Sequence, residues 1–453
     1  MESFMFDQSS LTEILVLLND FKFLAAITLT LAAIYLSHKA NHVYLLDFIC
    51  NRAPDHQRVP ISTFIEHSEI MEKFNRNTIE FQKKVAERSA IGNETHVPPG
   101  FHLLPSENSF GSTTNEIETV LFSIVQALLT KHNINPRSID ILIINCSLVN
   151  RTPSLSAMVI NKFRFRSNVK SFNLTGMGCS AGILSISLAR DLLKVHKNSL
   201  ALVLSMEPIC CNVYEGQLKS MILANCLFRV GGAGILLSNR KRDRVNAKYE
   251  LQHIVRTHLG FNTGAYKCVI QDLDDEGYTG IALSRTILQV AGEALKINLA
   301  SLGSLVLPYS EQINYVLSVG WRKIWAPARK RGPYIPNFKK AFEHFCIHAG
   351  GRAVIDTIKD KLKLTDRDIE ASKMTLYRFG NTSASSVWYS LCYLEAKGRV
   401  KRGDKVWQLA FGSGFKCNSA VWRCISNPKP DGLNAWSDRI NRYPVAVPEV
   451  IDT

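Results

Sequence analysis

From Asn115 onward, stretches that are apolar throughout alternate with stretches whose apolar residues recur every three or four places. "DILIINCSL" and "LALVLSM" are of the first kind and read as buried strands, with "VKSFNLT" a shorter one. "NEIETVLFSIVQALLTKH", "SLSAMVINKFRF" and "SAGILSISLARDLLKVH" are of the second kind and read as helices. A strand apolar on both faces needs cover on both, which predicts a mainly parallel sheet with helices on each side. The alternation confines the chain to the α/β class, and 453 residues suffice for one large core or two lobes of common domain size.

The two halves echo each other. "MGCSAGILSISLARDLL" sets Gly178-Cys179 at a helix head, followed by a strand and the Gly-rich turn "RVGGAGILLSN". "FGNTSASSVWYSLCYLEA" sets Gly380-Asn381 at a second helix head, followed by the strand "KVWQLAF" and the turn "GSGFKCNSAVW". The repeated order predicts two related lobes, each presenting one polar residue from a helix head toward the other. Chance likeness between two ordinary α/β segments is the alternative at this point.

The N-terminus has an apolar-or-Thr run from Phe23 to Leu36, preceded by "LTEILVLL" and interrupted by Glu13, Asn19, Asp20 and Lys22. A spanning helix takes about 20 apolar residues, so the longer run is at the margin. No basic leader region or small-residue cleavage site marks a signal peptide. Residues 1–40 read as a helical membrane anchor, spanning or hairpin-like, with an interfacial helix or a buried N-terminal helix as rivals. Residues 41–110 read as an irregular connector, "YLLDFICNRAPDHQRVP", then a helix, "FIEHSEIMEKFNRNTIEFQKKVAERSA", and a Pro-marked loop. An N-terminal lobe at 111–245, a C-terminal lobe at 246–430 and a tail at 431–453 complete the division.

Eleven cysteines, odd in number and without a CxxC pair, read as reduced thiols of a cytosol-facing protein. No Cys/His quartet has zinc-ligand spacing. The formal charge of +15 gathers in "RKRDR" (240–244) and "RKRGPYIPNFKK" (329–340). A solvated basic face, an anionic membrane surface and a phosphate-bearing small molecule all fit it. Nucleic acid ranks last, for want of any binding-module signature.

"NLTGMGCSAG" places Cys179 between glycines and small residues where a strand gives way to a helix. Unpaired N–H groups at a helix end stabilise a thiolate, so the setting predicts a nucleophile with a lowered pKa. A core thiol is the alternative, and it is the reading for the other ten cysteines. In "FEHFCIHAGG", His344 and His348 stand four apart, the spacing of one helix face, and His258 in "VRTHLG" is a third candidate. For His344 a hydrogen-bonded core role fits at least as well. A metal site there lacks the HExxH glutamate and a third ligand, so no metal is expected. Asn381 supplies an amide donor that never ionises, and the Gly412-Ser413-Gly414 turn can bring backbone N–H groups to the same place. These parts suit thioester chemistry: a cysteine takes an acyl group, while a neutral His and an Asn hold the enolate of a decarboxylated malonyl unit. They do not suit hydrolysis, which needs a water positioned by a base.

With "VPISTFIEHS", "PSLSAMVINKFRFRSNVKSFNL", "GMGCSAG", "NCLFRVGGAGILLSN", "FEHFCIHAGGRAVID" and "RFGNTSASSVWY" in this order over roughly residues 40–430, the chain resembles the plant 3-ketoacyl-CoA synthases. These are the condensing enzymes of very-long-chain fatty-acid elongation. The resemblance implies a thiolase-like fold of duplicated βαβαβαββ lobes in an αβαβα layering. It also implies a homodimer working with other elongase subunits at the endoplasmic reticulum membrane, its catalytic part facing the cytosol. Cys179 matches the family's nucleophile, His348 its catalytic histidine and Asn381 its catalytic asparagine, while His258 and His344 match further family histidines. The implied substrates are acyl-CoA and malonyl-CoA, with no cofactor. The backbone N–H of Cys179 and the 412–414 turn are expected to form an oxyanion hole. The chain departs from the family at Tyr377, where members usually carry histidine, and in its shorter, more polar anchor. Two other functions remain in view: a catalytically weak paralogue serving as an assembly subunit, and a polyketide-type synthase with a different starter.

Overall fold

The computed structural model describes residues 23–30, 42–103, 107–324, 334–429 and 431–448. Met1–His42 forms one unit and Val43–Thr453 another. In the first, residues 23–30 are helical (α1). The rest of the expected anchor lies outside the described residues. Among the described residues no helix is long and apolar enough to cross a membrane.

In Val43–Thr453 the strands are β1 (Tyr44–Cys50), β2 (Ile141–Asn145), β3 (Lys170–Leu174), β4 (Leu200–Met206), β5 (Gly232–Ser238), β6 (Tyr249–His258), β7 (Val269–Leu273), β8 (Thr279–Leu283), β9 (His344–Ile347), β10 (Lys405–Gly412) and β11 (Lys416–Cys424). The helices are α2 (Ile61–Ile70), α3 (Arg76–Arg88), α4 (Phe110–Lys131), α5 (Leu155–Phe163), α6 (Ala181–Val195), α7 (Lys219–Leu227), α8 (Thr263–Tyr266), α9 (Ile287–Val306), α10 (Tyr309–Ile324), α11 (Arg352–Leu362), α12 (Asp366–Phe379) and α13 (Ser386–Ala396). Nine strands join in the order β3-β2-β4-β5-β1-β6-β11-β10-β9, and β7–β8 is a separate hairpin.

The sheet corrects the expectation of a mainly parallel one. β2–β3, β2–β4 and β9–β10 pair in parallel. β1–β5, β1–β6, β4–β5, β6–β11 and β10–β11 pair antiparallel. Apolarity on both faces reports burial, not direction, and the short Ser413–Phe415 turn between β10 and β11 permits only a hairpin. The connector expected at residues 41–110 also begins with a strand, β1, at the middle of the sheet. Its charged residue, Asp47, is buried and partnered by His132 Nε2 and Lys248 Nζ, each at 2.8 Å. Burial alone would raise the Asp47 pKa, but His132, Lys248 and Lys131 outweigh it and hold the carboxyl well below its usual range. The helix expected after it is two helices, α2 and α3, broken where Glu72 is left-handed and Asn75 caps α3 through Thr78 N at 2.9 Å.

Successive strand residues point to opposite faces, and the packing sorts accordingly. Ile141 and Ile143 of β2 share a cluster with Val406 and Ala410 of β10, around Ile186 of α6 and Leu391 of α13. Leu142 and Ile144 turn the other way, onto Leu121 and Ile124 of α4. Leu409 and Phe411 turn onto Leu302 of α9 and Ile355 of α11. Helix, strand, helix, strand and helix layers therefore follow one another, with α6 and α13 in the middle. Their heads touch: a Cβ on Gly182 would collide with the Ala384 carbonyl. The two helix heads singled out in the sequence meet at the centre of the fold.

Candidate active site

A cavity of about 360 Å³ opens where the heads of α6 and α13 meet the β10–β11 turn. Cys179, His348, Asn381, Gly412, Ser413 and Gly414 all line it.

Between β3 and α6 the backbone turns through Gly176 and Gly178, both left-handed (φ +65° and +66°), and Cys179 sits in the 3-10 turn that leads into α6. Gly178 is required twice over, by its φ and because a Cβ there would collide with Ser413 N. Gly178→Ala is expected to slow acylation of Cys179 about 100-fold by shifting the sulfur. Intact-protein mass after exposure to acyl-CoA measures it, and an unchanged rate would refute the role given to this turn.

The thiol itself corrects the expectation of a lowered pKa. Burial pushes it up to about 11; a hydrogen bond with Ser383 opposes the rise and the Glu207 carboxylate adds to it. Losing water costs a charged sulfur more than the helix-end amides return. In the substrate-free protein, alkylation of Cys179 by iodoacetamide should climb about tenfold per pH unit from neutrality and level only near pH 11, since the thiolate is the reacting form. Levelling near pH 8 would mean that the helix end prevails.

His348 follows β9, its N–H donating to Leu409 O at 2.8 Å. Its Nδ1 lies 2.6 Å from Ser386 Oγ, on the first residue of α13. Burial lowers the imidazole pKa to about 4, so the ring is neutral at physiological pH. The helical spacing of His344 and His348 is corrected: His344 opens β9, and four extended residues span about 13 Å instead of the roughly 6 Å of a helix. His344 binds Asp404 Oδ2 at 2.9 Å and does not line the cavity. His258 ends β6, exposed, where its Nδ1 accepts from Gly260 N–H at 2.8 Å; it too lies outside the lining. Among the described residues no group of three His, Cys, Asp or Glu could hold a metal ion.

Asn381 is held at both ends of its peptide, its N–H donating to Leu227 O and its O accepting from Arg229 N, each at 3.0 Å. Ser383 N–H donates to Asn381 Oδ1 at 2.8 Å, and Asn381 Nδ2 donates to Gly350 O at 3.3 Å, which leaves the second hydrogen of Nδ2 for a ligand.

Sequence reasoning missed Ser383, Ser386 and Glu207. Ser383 is left-handed (φ +54°), a strained state for a non-glycine that fits a functional position. Its Oγ lies 3.5 Å from Cys179 Sγ and 3.3 Å from Glu207 Oε2. The buried Glu207 carboxylate accepts N–H bonds from Ser147 at 3.1 Å and Leu148 at 2.7 Å, and burial raises its pKa. A carboxylate closing the apolar run "LALVLSME" was the signal available for it. Tyr377, the residue that departs from the plant pattern, sits on α12 beside Gly92 and edge-on to Tyr443, away from the cavity lining.

Solved structures share this architecture. The 1,3,6,8-tetrahydroxynaphthalene synthase of Streptomyces coelicolor, a bacterial type III polyketide synthase, matches with a TM-score of 0.66 at 17% identity over 84% of this chain and 99% of that one. PKS-I of the brown alga Ectocarpus siliculosus matches with a TM-score of 0.66 at 14% identity, over 85% and 99%. The fold is therefore the thiolase-like one of type III polyketide synthases. The family model for FAE1/type III polyketide synthase-like proteins matches residues 35–324, and that for the C-terminal part of 3-oxoacyl-[acyl-carrier-protein] synthase III matches 339–424. 3-Ketoacyl-CoA synthase 7 of Arabidopsis thaliana is 56% identical over 403 residues, 89% of this chain and 87% of that protein. Synthase 5 of the same plant is 53% identical over 420 residues, 93% and 85%. The chain belongs to the 3-ketoacyl-CoA synthase family of enzymes.

Proposed function

We propose that this enzyme condenses a long-chain acyl-CoA with malonyl-CoA, releasing CO2 and CoA and giving a 3-ketoacyl-CoA two carbons longer, the chain-building step of very-long-chain fatty-acid elongation. The observation that carries the reading is the single cavity shared by Cys179, His348 and Asn381. The Cys179 sulfur attacks the acyl-CoA carbonyl, its proton passing through Ser383 Oγ to the Glu207 carboxylate, and CoA thiolate leaves. The Cys179 N–H and the 412–414 turn hold the oxyanion. Malonyl-CoA then loses CO2. Ser386 Oγ donates to His348 Nδ1, so Nε2 carries the hydrogen and, with Asn381 Nδ2, holds the enolate oxygen. The enolate carbon attacks the acyl thioester, and Cys179 leaves as a thiolate that Glu207 reprotonates through Ser383.

A mostly apolar cavity of about 60 Å³ walled by Phe64, Met71 and Phe74 adjoins the reaction cavity, sharing Leu148, Glu207, Phe228 and Ile281 with it, and the reading directs the acyl chain from Cys179 toward that side. Both substrates arrive as thioesters, so the chemistry calls for no cofactor. The reading includes a homodimer, other elongase subunits as partners, and an endoplasmic reticulum membrane location with the catalytic unit facing the cytosol. Eleven unpaired cysteines suit that reducing side, and β3 at the sheet edge suits pairing with a second copy. Nothing favours a catalytically weak assembly subunit, since Tyr377, its one support, packs outside the cavity. Detergent-solubilised full-length protein given acyl-CoAs of graded length and radiolabelled malonyl-CoA should yield labelled 3-ketoacyl-CoA; none at any length overturns the proposal.

A further inference from the structure

We infer that α10 lies in the plane of an anionic lipid surface, its outer face forming a membrane contact separate from residues 1–40. A surface helix ordinarily turns its apolar stripe toward the core. α10 is reversed. Its buried residue is Glu311, whose carboxylate accepts from Tyr334 OH at 2.7 Å, Asn337 N at 2.9 Å and Lys340 Nζ at 2.6 Å. Ser318, two turns on along the same face, accepts from Tyr334 N at 2.9 Å.

On the opposite face Tyr309, Ile313, Val316, Leu317 and Ile324 recur at helical spacing, between 56% and 84% exposed. Trp321 borders the stripe at 62% exposure. The helix has no carboxylate other than the buried Glu311, and Arg322 and Lys323 close its last turn. Apolar and aromatic side chains on one face with the exposed Lys323 at its border are what a helix needs to sink into the headgroup boundary of an anionic bilayer.

Size argues for lipid over protein. A 16-residue helix presents a strip about 24 Å long and about 10 Å wide, far below the roughly 800 Å² per partner of a stable protein interface. Lipid accepts a lone helix. The inference is independent of the condensation chemistry, and the experiment below does not read that activity.

The test places full-length protein in vesicles of brominated phosphatidylcholine, with or without phosphatidylglycerol, and reads tryptophan fluorescence. Trp388, Trp407, Trp422 and Trp436 are fully buried, and subtracting the Trp321→Phe signal isolates Trp321. Bromines near the glycerol end should quench Trp321 more than bromines near the methyl end, and phosphatidylglycerol should increase the effect. Ile313→Glu with Leu317→Glu should weaken quenching about 10-fold or more, with melting temperature and Cys179 alkylation unchanged as proof of folding. An unquenched Trp321, equal quenching at both depths, or quenching indifferent to the double substitution each overturns the inference. Loss of a dimer in the double variant without any quenching in the parent assigns the face to a second copy and overturns it as well.

Discussion

Cys179→Ala should lower formation of 3-ketoacyl-CoA by about 10³-fold or more, to background, because no other group in the cavity can carry the acyl thioester. Of the other ten cysteines none lines the cavity; Cys146 is buried, and its Sγ is tied to Glu207 Oε1 at 3.6 Å. Two readouts belong together. Labelled malonyl-CoA follows the product, and intact mass follows the acyl group on the protein. Both should vanish in the variant while its melting curve stays near that of the parent, since the side chain is small and opens to the cavity. Product at more than a few per cent of the parental rate would put the nucleophile elsewhere.

The second large effect separates the two half-reactions. His348→Ala and Asn381→Ala should each cost about 10²- to 10³-fold in release of CO2 from malonyl-CoA, the usual loss for one oxyanion donor. Acylation of Cys179 should continue in both, so intact mass should reveal acyl-enzyme that goes no further. The pH dependence follows from the imidazole. Its pKa is lowered to about 4, so the ring is neutral above that value and charges only as pH falls toward it. Decarboxylation by pre-formed acyl-enzyme should therefore stay level from about pH 8 down to about pH 6 and fail only on approach to pH 4. A midpoint near 6.5 would point instead to a solvated histidine acting as a base.

These two experiments bear on different donors around one enolate, and Ser383 links them. Through its N–H it occupies Asn381 Oδ1 and so orients the amide; through its Oγ it joins Cys179 to Glu207. A single left-handed serine thus touches both Cys179 and Asn381.

Cys179, His348 and Asn381 were legible in the chain because each is announced by its immediate neighbours: glycines at a strand-to-helix turn, paired glycines after a histidine, a Gly-Asn at a helix head. The layered α/β architecture was legible for the same reason, since apolar spacing is a local property. Direction and environment were not. β1 looked like a connector because it leads into an irregular, proline-containing stretch, and Lys248, His132 and Lys131, supplied from distant parts of the chain, make its Asp47 carboxylate tolerable inside a sheet. The thiol was misjudged because helix-end stabilisation is local, whereas burial and the Glu207 field come from elements folded over it. Ser383 stands 204 residues from Cys179, and no pattern of neighbours encodes such a meeting. Periodicity and turn chemistry act over a few residues, so sequence alone determined most of the central strands and helices and the glycine-marked turns at their ends; desolvation and hydrogen bonding act through space, so only the folded chain decided which strands pair and what surrounds those turns.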